Sequence, residues 1–248
     1  ARLFTSLLNE GDAVGAIIFA NEAQLITQNI ERIQSQETKA QIAAKFQPVI
    51  ANGYTDVKAA FILAEEMLNN SINIPEEKVI IFLTDGEPEP LSPYPDYISD
   101  TINLAKSLDI PVLSIALTQG AASQFLTNLS TETGGQVLLA DTALDILDTF
   151  LQILGNLKDR TILGEGIVAS PNSVDIPIDP GLIPYTRQVS FIVSKDNSVS
   201  STLIDPGGQT VTITDPRVSF YQLEDPAFII MTLDSVTGGR WTVNLEGS

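Results

Sequence analysis

The stretch VIIFLTDGEPEP, residues 79–90, decides the fold. Five apolar residues run without a break from Val79 to Leu83, followed by Thr84, Asp85 and Gly86 and then by alternating acid and proline. A continuous apolar run of this length suits a parallel strand buried on both faces. The carboxylate of Asp85 then stands at the strand's C-terminal end, the edge of an open α/β sheet where ligands bind. Gly86 is expected to let the backbone turn sharply there.

Working outward, AVGAIIF (13–19), PVLSIAL (111–117) and QVLLA (136–140) are further continuous apolar runs, each expected as a buried parallel strand. Amphipathic helices are expected between them. Val57, Ala60, Phe61, Ala64 and Leu68 share one helical face, as do Ile98, Ile102 and Ala105, and Leu144, Leu147, Leu151 and Leu154 stripe a last helix. Leu3, Phe4, Leu7 and Leu8 have helical spacing and Gly11 is a helix stop, so Ala1 is read as a cut within a helix and not as a native start. The alternation of strand and helix argues a doubly wound α/β domain over residues 1–160.

Beyond residue 160 the period changes. Val189, Phe191 and Val193, then Val211 and Ile213, then Trp241, Val243 and Leu245 alternate with polar residues, the mark of antiparallel strands with one wet face. DPG (179–181), DPGG (205–208) and TGG (237–239) are turn signals, and no helical pattern appears. Residues 161–248 are therefore expected to form a small antiparallel β-sandwich domain.

The 248 residues include 31 acids against 13 bases, a net charge of −18, which argues against nucleic acid and fits solubility, cation binding or basic partners. With no cysteine and no histidine, the chain excludes thiol catalysis, disulfides, zinc–histidine sites and histidine bases. No apolar run approaches the roughly 20 residues needed to span a bilayer. An extracytoplasmic or cell-surface setting in a bacterium is expected, with the cytoplasm left open.

A second group joins Asp85 at its edge. NGYTD (52–56) precedes the helix that starts at Val57, so Thr55 or Asp56 is its N-cap. Taken singly these are an ordinary cap and an ordinary turn aspartate. Together, a hydroxyl and a carboxylate at one sheet edge suit a hard cation, which takes oxygen ligands. Glu87, Glu89 and Asp96 line the rim as a solvated acidic loop.

GDAVGAIIFA, NGYTD, VIIFLTDGEP and PVLSIALT, in that order, resemble a von Willebrand factor type A domain over about residues 1–158. The resemblance implies a Rossmann-like sheet and a metal site for Mg²⁺, Mn²⁺ or Ca²⁺ that binds an acidic group of a partner protein. It implies Thr55 as the threonine ligand and Asp85 as the aspartate that binds the metal directly or through water. The family's first strand, ending in Asp-x-Ser-x-Ser, is not in its place. The match at Asp196, Ser198 and Ser200 comes in the wrong chain order with no helix after it, and reads as a loop between sandwich strands. The missing strand is expected in the middle of the sheet, between residues 13–19 and 79–83. Upstream residues, a cleaved piece that stays bound, or strand donation by another subunit would supply it.

The tail, through DPGG and GRWTV, is similar to the β-sandwich of calcium-activated chloride channel regulator proteins and their bacterial relatives. Their zinc protease region has no counterpart here. The expected function is a non-enzymatic, metal-dependent adhesion or protein–protein interaction module. The alternative is a structural or assembly subunit with a vestigial metal site. A metal-dependent hydrolase is disfavoured, because the visible site has too few carboxylates to activate water.

Overall fold

The computed structural model describes residues 2–46, 53–90, 92–118, 124–158, 163, 171–186, 188–196, 198–224 and 227–247. The chain divides into two compact units, Ala1–Gln152 and Ile153–Ser248. The expected boundary at residues 160 and 161 lies outside the described residues, as do Ala1 and Asn52.

The first unit opens with helix α1 (Arg2–Leu7), then strands β1 (Ala13–Val14), β2 (Ile17–Phe19), β3 (Ala23–Leu25) and β4 (Glu31–Arg32). Helices α2 (Gln36–Ala44) and α3 (Val57–Asn70) follow. Next come β5 (Ile80–Thr84), α4 (Tyr97–Ser107), β6 (Val112–Ala116), α5 (Gln124–Glu132), β7 (Val137–Leu139) and α6 (Ala143–Lys158). Strands β5, β6 and β7 make a parallel sheet in that order, with Leu83 opposite Ile115 and Ile115 opposite Leu138. The middle strand is the driest: Val112, Ser114, Ile115 and Ala116 are buried. The Ser114 hydroxyl is satisfied there by the hydroxyl of Ser130 on α5 at 2.8 Å.

Residues 13–19 are not the single parallel strand that their hydropathy predicts. They break into β1, antiparallel to β4, and β2, antiparallel to β3. The break has a local cause. The Ala16 N–H donates to the Thr27 hydroxyl at 2.9 Å, and the Ala16 carbonyl accepts from the N–H groups of Ile26 and Thr27. Both backbone polar groups of Ala16 are thus taken outside any ladder. Gly15 lies against α3, where a Cβ would stand 2.4 Å from the Met67 sulfur.

Strands β2 and β5 do not pair. Among the described residues β2 bonds only to β3, and β5 only to β6. The link between them is made by side chains: Phe19 and Phe82 stack with centroids 5.3 Å apart, and Phe61 of α3 stacks on Phe82 at 6.0 Å. Ile80, Ile81 and Leu83 are only half-buried, short of the burial on both faces expected for this run.

Two helical faces differ from expectation by one position. In α4 the buried residues are Tyr97, Thr101 and Ala105, whereas Ile98 is 40 % exposed. In α6 the stripe includes Leu147, Phe150 and Leu154, Leu144 is 45 % exposed, and Phe150 meets Phe4 of α1 edge-on at 5.1 Å. Leu139 is also exposed, because β7 is the outer strand of its sheet.

The second unit is a sandwich of two antiparallel sheets. Its strands are β8 (Asn172–Ile178), β9 (Val189–Ser194), β10 (Ser200–Ile204), β11 (Thr210–Val211), β12 (Val218–Glu224), β13 (Ala227–Leu233) and β14 (Gly239–Glu246). One sheet has the order β11-β10-β14-β8 and the other β12-β13-β9. The alternation seen in the sequence sets the core: Val189, Phe191 and Val193 from one sheet pack with Leu203, Trp241 and Val243 from the other. Ile213, expected to point inward, is 60 % exposed, because β11 ends at Val211. The DPG signal at 179–181 opens a short 3-10 helix, Pro180–Tyr185, which sequence periodicity did not predict.

Asp179 and Asp205 each hold the N–H two residues on, Gly181 at 2.8 Å and Gly207 at 2.9 Å. Both turns close on the glycine pair 238–239. A Cβ on Gly238 would meet Pro180 Cα at 2.6 Å, and one on Gly239 would meet Pro206 Cβ at 2.9 Å. Asp196 and Ser198 lie in the β9–β10 connection and Ser200 opens β10; the Asp196 carbonyl accepts from the Val199 N–H at 3.0 Å, while Asn197 is outside the described residues.

Candidate functional site

The site is built at the C-terminal edge of β5. Thr84, the last residue of the strand, is buried, and its hydroxyl donates to the Gly86 carbonyl at 3.0 Å and accepts from the Gly86 N–H at 3.3 Å. That local ring makes the turn. Gly86 has no positive φ, and a Cβ there would meet nothing within 4 Å, so the turn does not require glycine as the sequence suggested. Asp85 projects into solvent, and among the described residues its carboxylate has no hydrogen-bond or ion-pair partner.

The second loop is held from both sides. Gly53 takes φ +91°, the left-handed region glycine tolerates, and the following N–H, of Tyr54, donates to Asn21 Oδ1 at 2.7 Å. The Asp56 N–H donates to the Ala20 carbonyl at 2.9 Å. Between them Thr55 forms an isolated antiparallel bridge with Glu89, with N–H to carbonyl bonds of 2.9 and 3.0 Å in the two directions. This bridge joins the loop of Thr55 to the loop that begins at Asp85.

The choice between Thr55 and Asp56 as N-cap is also settled. Asp56 caps α3, its Oδ1 accepting from the Ala59 N–H at 3.1 Å. The Thr55 hydroxyl makes no hydrogen bond among the described residues. Glu87, Glu89 and Asp96 are exposed, a solvated acidic rim.

Hydropathy missed the polar cluster behind the edge. Tyr97, only 5 % exposed, donates its phenol proton to Asp56 Oδ1 at 2.8 Å and accepts from the Lys58 N–H at 3.0 Å. Beside it, Tyr94 and the Lys58 ammonium both bond to Asp100 Oδ2, at 2.8 and 3.2 Å. Lys58 also bonds the Tyr94 hydroxyl and lies 5.2 Å from that ring's centroid. The hydrogen bonds from Tyr94 and Lys58 hold the Asp100 carboxyl below its ordinary range. The available signal in the sequence was the pair of tyrosines that flank Pro95 and Asp96 at the start of α4.

Burial, reinforced by the Asp56 carboxylate, pushes the Tyr97 phenol up to about 12 from 10.0. A phenol raised on folding stabilises the fold fully below its unfolded value, and that stability is lost as pH climbs through the folded one. Alkaline unfolding is therefore expected to set in between pH 10 and about 12. Tyr97→Phe should remove the share of the pH-dependent stability that the Tyr97 phenol contributes in this window, as read by circular dichroism against an ultraviolet titration of the phenols.

Thr55 and Asp85 are oxygen donors, the kind a hard cation takes, and both are uncommitted. Among the described residues no group of three or more acidic, histidine or cysteine side chains converges on a metal position. Mg²⁺ wants about six oxygens. Thr55 and Asp85 offer two donor groups, fewer than such a shell requires.

A profile of the von Willebrand factor type A domain matches residues 1–152. The chain belongs to the von Willebrand factor type A family. The expected architecture, a von Willebrand A sheet followed by a β-rich region, is the one observed. A von Willebrand factor type A protein from Catenulispora acidiphila is similar at TM-score 0.55 and 10 % identity, over 100 % of this chain and 52 % of its own. Proximal thread matrix protein 1 from the mussel byssus is similar at TM-score 0.49 and 16 % identity, over 63 % of this chain and 38 % of its own. The three N-terminal domains of the type V pili tip protein Mfa5 from Porphyromonas gingivalis are similar at TM-score 0.45 and 10 % identity, over 100 % of this chain and 56 % of theirs. The chain spans about half the length of the first of these. At such identities the first likeness speaks for the fold alone, and the other two carry no argument. No curated protein matches the sequence.

Proposed function

We propose that this von Willebrand A chain is a non-enzymatic interaction module. It binds a partner protein at the edge of Thr55 and Asp85, where an acidic group of the partner completes the shell of a divalent cation. One observation carries the reading. The Thr55 hydroxyl and the Asp85 carboxylate are left uncommitted, while the Thr84, Asp56 and Tyr97 side chains around them are hydrogen-bonded. Thr55 and Asp85 would hold Mg²⁺, Mn²⁺ or Ca²⁺, and the cation would supply a positive centre for the partner's carboxylate. Glu87, Glu89 and Asp96 around them would repel an acidic partner not bridged by metal.

In the same reading an additional strand lies between β2 and β5 and brings further ligands. It comes from upstream residues, a bound cleaved piece or another subunit. The β-rich unit is read as a relative of the sandwich in the chloride channel regulators. The setting is extracytoplasmic or at a cell surface. Among the described residues no helix is long and apolar enough to cross a membrane.

The second reading, a structural or assembly subunit with a vestigial site, is favoured by the count of two donors. Calorimetric titration and partner capture separate the two. This chain alone is expected to show no tight Mg²⁺ site, and a form carrying an Asp-x-Ser-x-Ser strand is expected to bind. Asp85→Ala should abolish both metal and partner binding in that form, at a stability cost within about 0.5 kcal/mol. Tight binding by the short chain that survives Asp85→Ala would overturn the ligand assignment. Unchanged partner capture by Asp85→Ala would favour the scaffold.

A further inference from the structure

We infer that Tyr97 is a positioning residue for the Thr55 edge: its phenol, acting through Asp56, fixes the loop of Thr55 against the loop of Asp85. This rests on reading that edge as the ligand site. The Thr55–Glu89 bridge is two hydrogen bonds with no ladder on either side. Such a bridge persists only where its strands are held by other contacts.

On the Glu89 side, the chain that leaves the bridge meets α3 again at Tyr97. The Tyr97 phenol bonds Asp56 at 2.8 Å and the Lys58 N–H at 3.0 Å. The segment is therefore pinned at both ends onto residues 55–58. The phenol donates one bond and accepts the other, and phenylalanine can do neither. Its loss leaves the Lys58 N–H, one of the first-turn donors of α3, without this acceptor. It also leaves Asp56 with the Ala59 cap as its remaining side-chain bond. Asp56 is bonded to Thr55 through the chain, so slack in Asp56 becomes slack in Thr55. Tyr94, Lys58 and Asp100 brace α3 against the start of α4, but among the described residues their side chains make no bond to Asp56.

The test is amide hydrogen exchange on the metal-free chain, comparing wild type, Tyr97→Phe and Asp56→Asn. In Tyr97→Phe the amides of Thr55 and Glu89 are expected to exchange roughly five- to a hundredfold faster, the range for losing a buried hydrogen bond. Asp56→Asn keeps a side-chain oxygen to accept both bonds and is expected to rescue most of the protection. A role confined to packing α4 would instead speed exchange in α4 and leave Thr55 and Glu89 unchanged, and that result overturns the proposal. Mn²⁺, a paramagnetic ion that broadens nearby signals even when it is bound weakly, is the second probe. In wild type it is expected to broaden the nuclear magnetic resonance signals of Thr55 and Asp85, and in Tyr97→Phe to need several-fold more metal for the same effect. Absence of broadening in wild type counts against the ligand-site reading, while the exchange result still decides the role of Tyr97.

Discussion

Trp241→Ala is expected to cost the β-rich unit about 3–5 kcal/mol, the range for truncating a buried aromatic. Trp241 is 1 % exposed, and its ring lies 5.3 Å from that of Phe191 across the sandwich. Its indole N–H donates to the Thr237 carbonyl at 2.9 Å, so truncation also leaves that acceptor unpaired. A domain's whole stability is typically about 5–15 kcal/mol, so the unit should stand at the margin of folding. This is the chain's single tryptophan, so the urea transition must be followed by circular dichroism and not by fluorescence. Trp241→Phe should cost much less, because most of the packed volume remains. Equal midpoints for the two variants would show that the ring is not what holds the sheets together.

Gly135→Ala is expected to destabilise the von Willebrand A unit by about 3 kcal/mol or more, the upper range for overpacking. A Cβ on Gly135 would stand 2.0 Å from the Val112 carbonyl oxygen and 2.6 Å from its carbon. Both are backbone atoms of β6, so no rotamer change relieves the clash. The neighbourhood is already closed by two bonds: Gly135 N–H to the Ser130 carbonyl at 2.7 Å and Val112 N–H to the Thr133 hydroxyl at 3.1 Å. The damage is expected to reach the edge that carries Asp85, because β6 is the neighbour of β5. Gly86→Ala is the control, expected within about 0.5 kcal/mol because its Cβ meets open space. Comparable losses in the two variants, measured by chemical denaturation, would refute the steric account.

The parallel strand β5 was legible because it is an uninterrupted apolar run ending in turn residues, β6 because Ser114 alone interrupts its apolar run, and the sandwich because Phe191 and Trp241 sit on strict alternations. Residues 13–19 look the same by hydropathy. What breaks them is the Thr27 hydroxyl on the Ala16 N–H, a bond that hydropathy does not register. A hydropathy wheel also prefers Ile98 to Tyr97. It does not register that a tyrosine can be buried once its hydroxyl finds Asp56, 41 residues away. For the edge, the strand end and helix start that carry Asp85 and Thr55 were readable. Which of Thr55 and Asp56 caps α3 depends on backbone angles, and the Thr55–Glu89 bridge has no local signature at all.

Among the described residues the far sides of β2 and β5 carry no partner strand, which bears on how the protein behaves in concentrated solution. Ile80–Thr84 carries no charge and no proline, the usual guards against one sheet edge sticking to another. The net charge of −18 over the whole chain repels one copy from another. That protection is long-ranged only while the solution is dilute in ions: its reach falls from about 10 Å at 0.1 M salt to about 3 Å at 1 M. Where no further strand covers that edge, raising salt is expected to weaken the repulsion between copies, which light scattering against ionic strength would read as association.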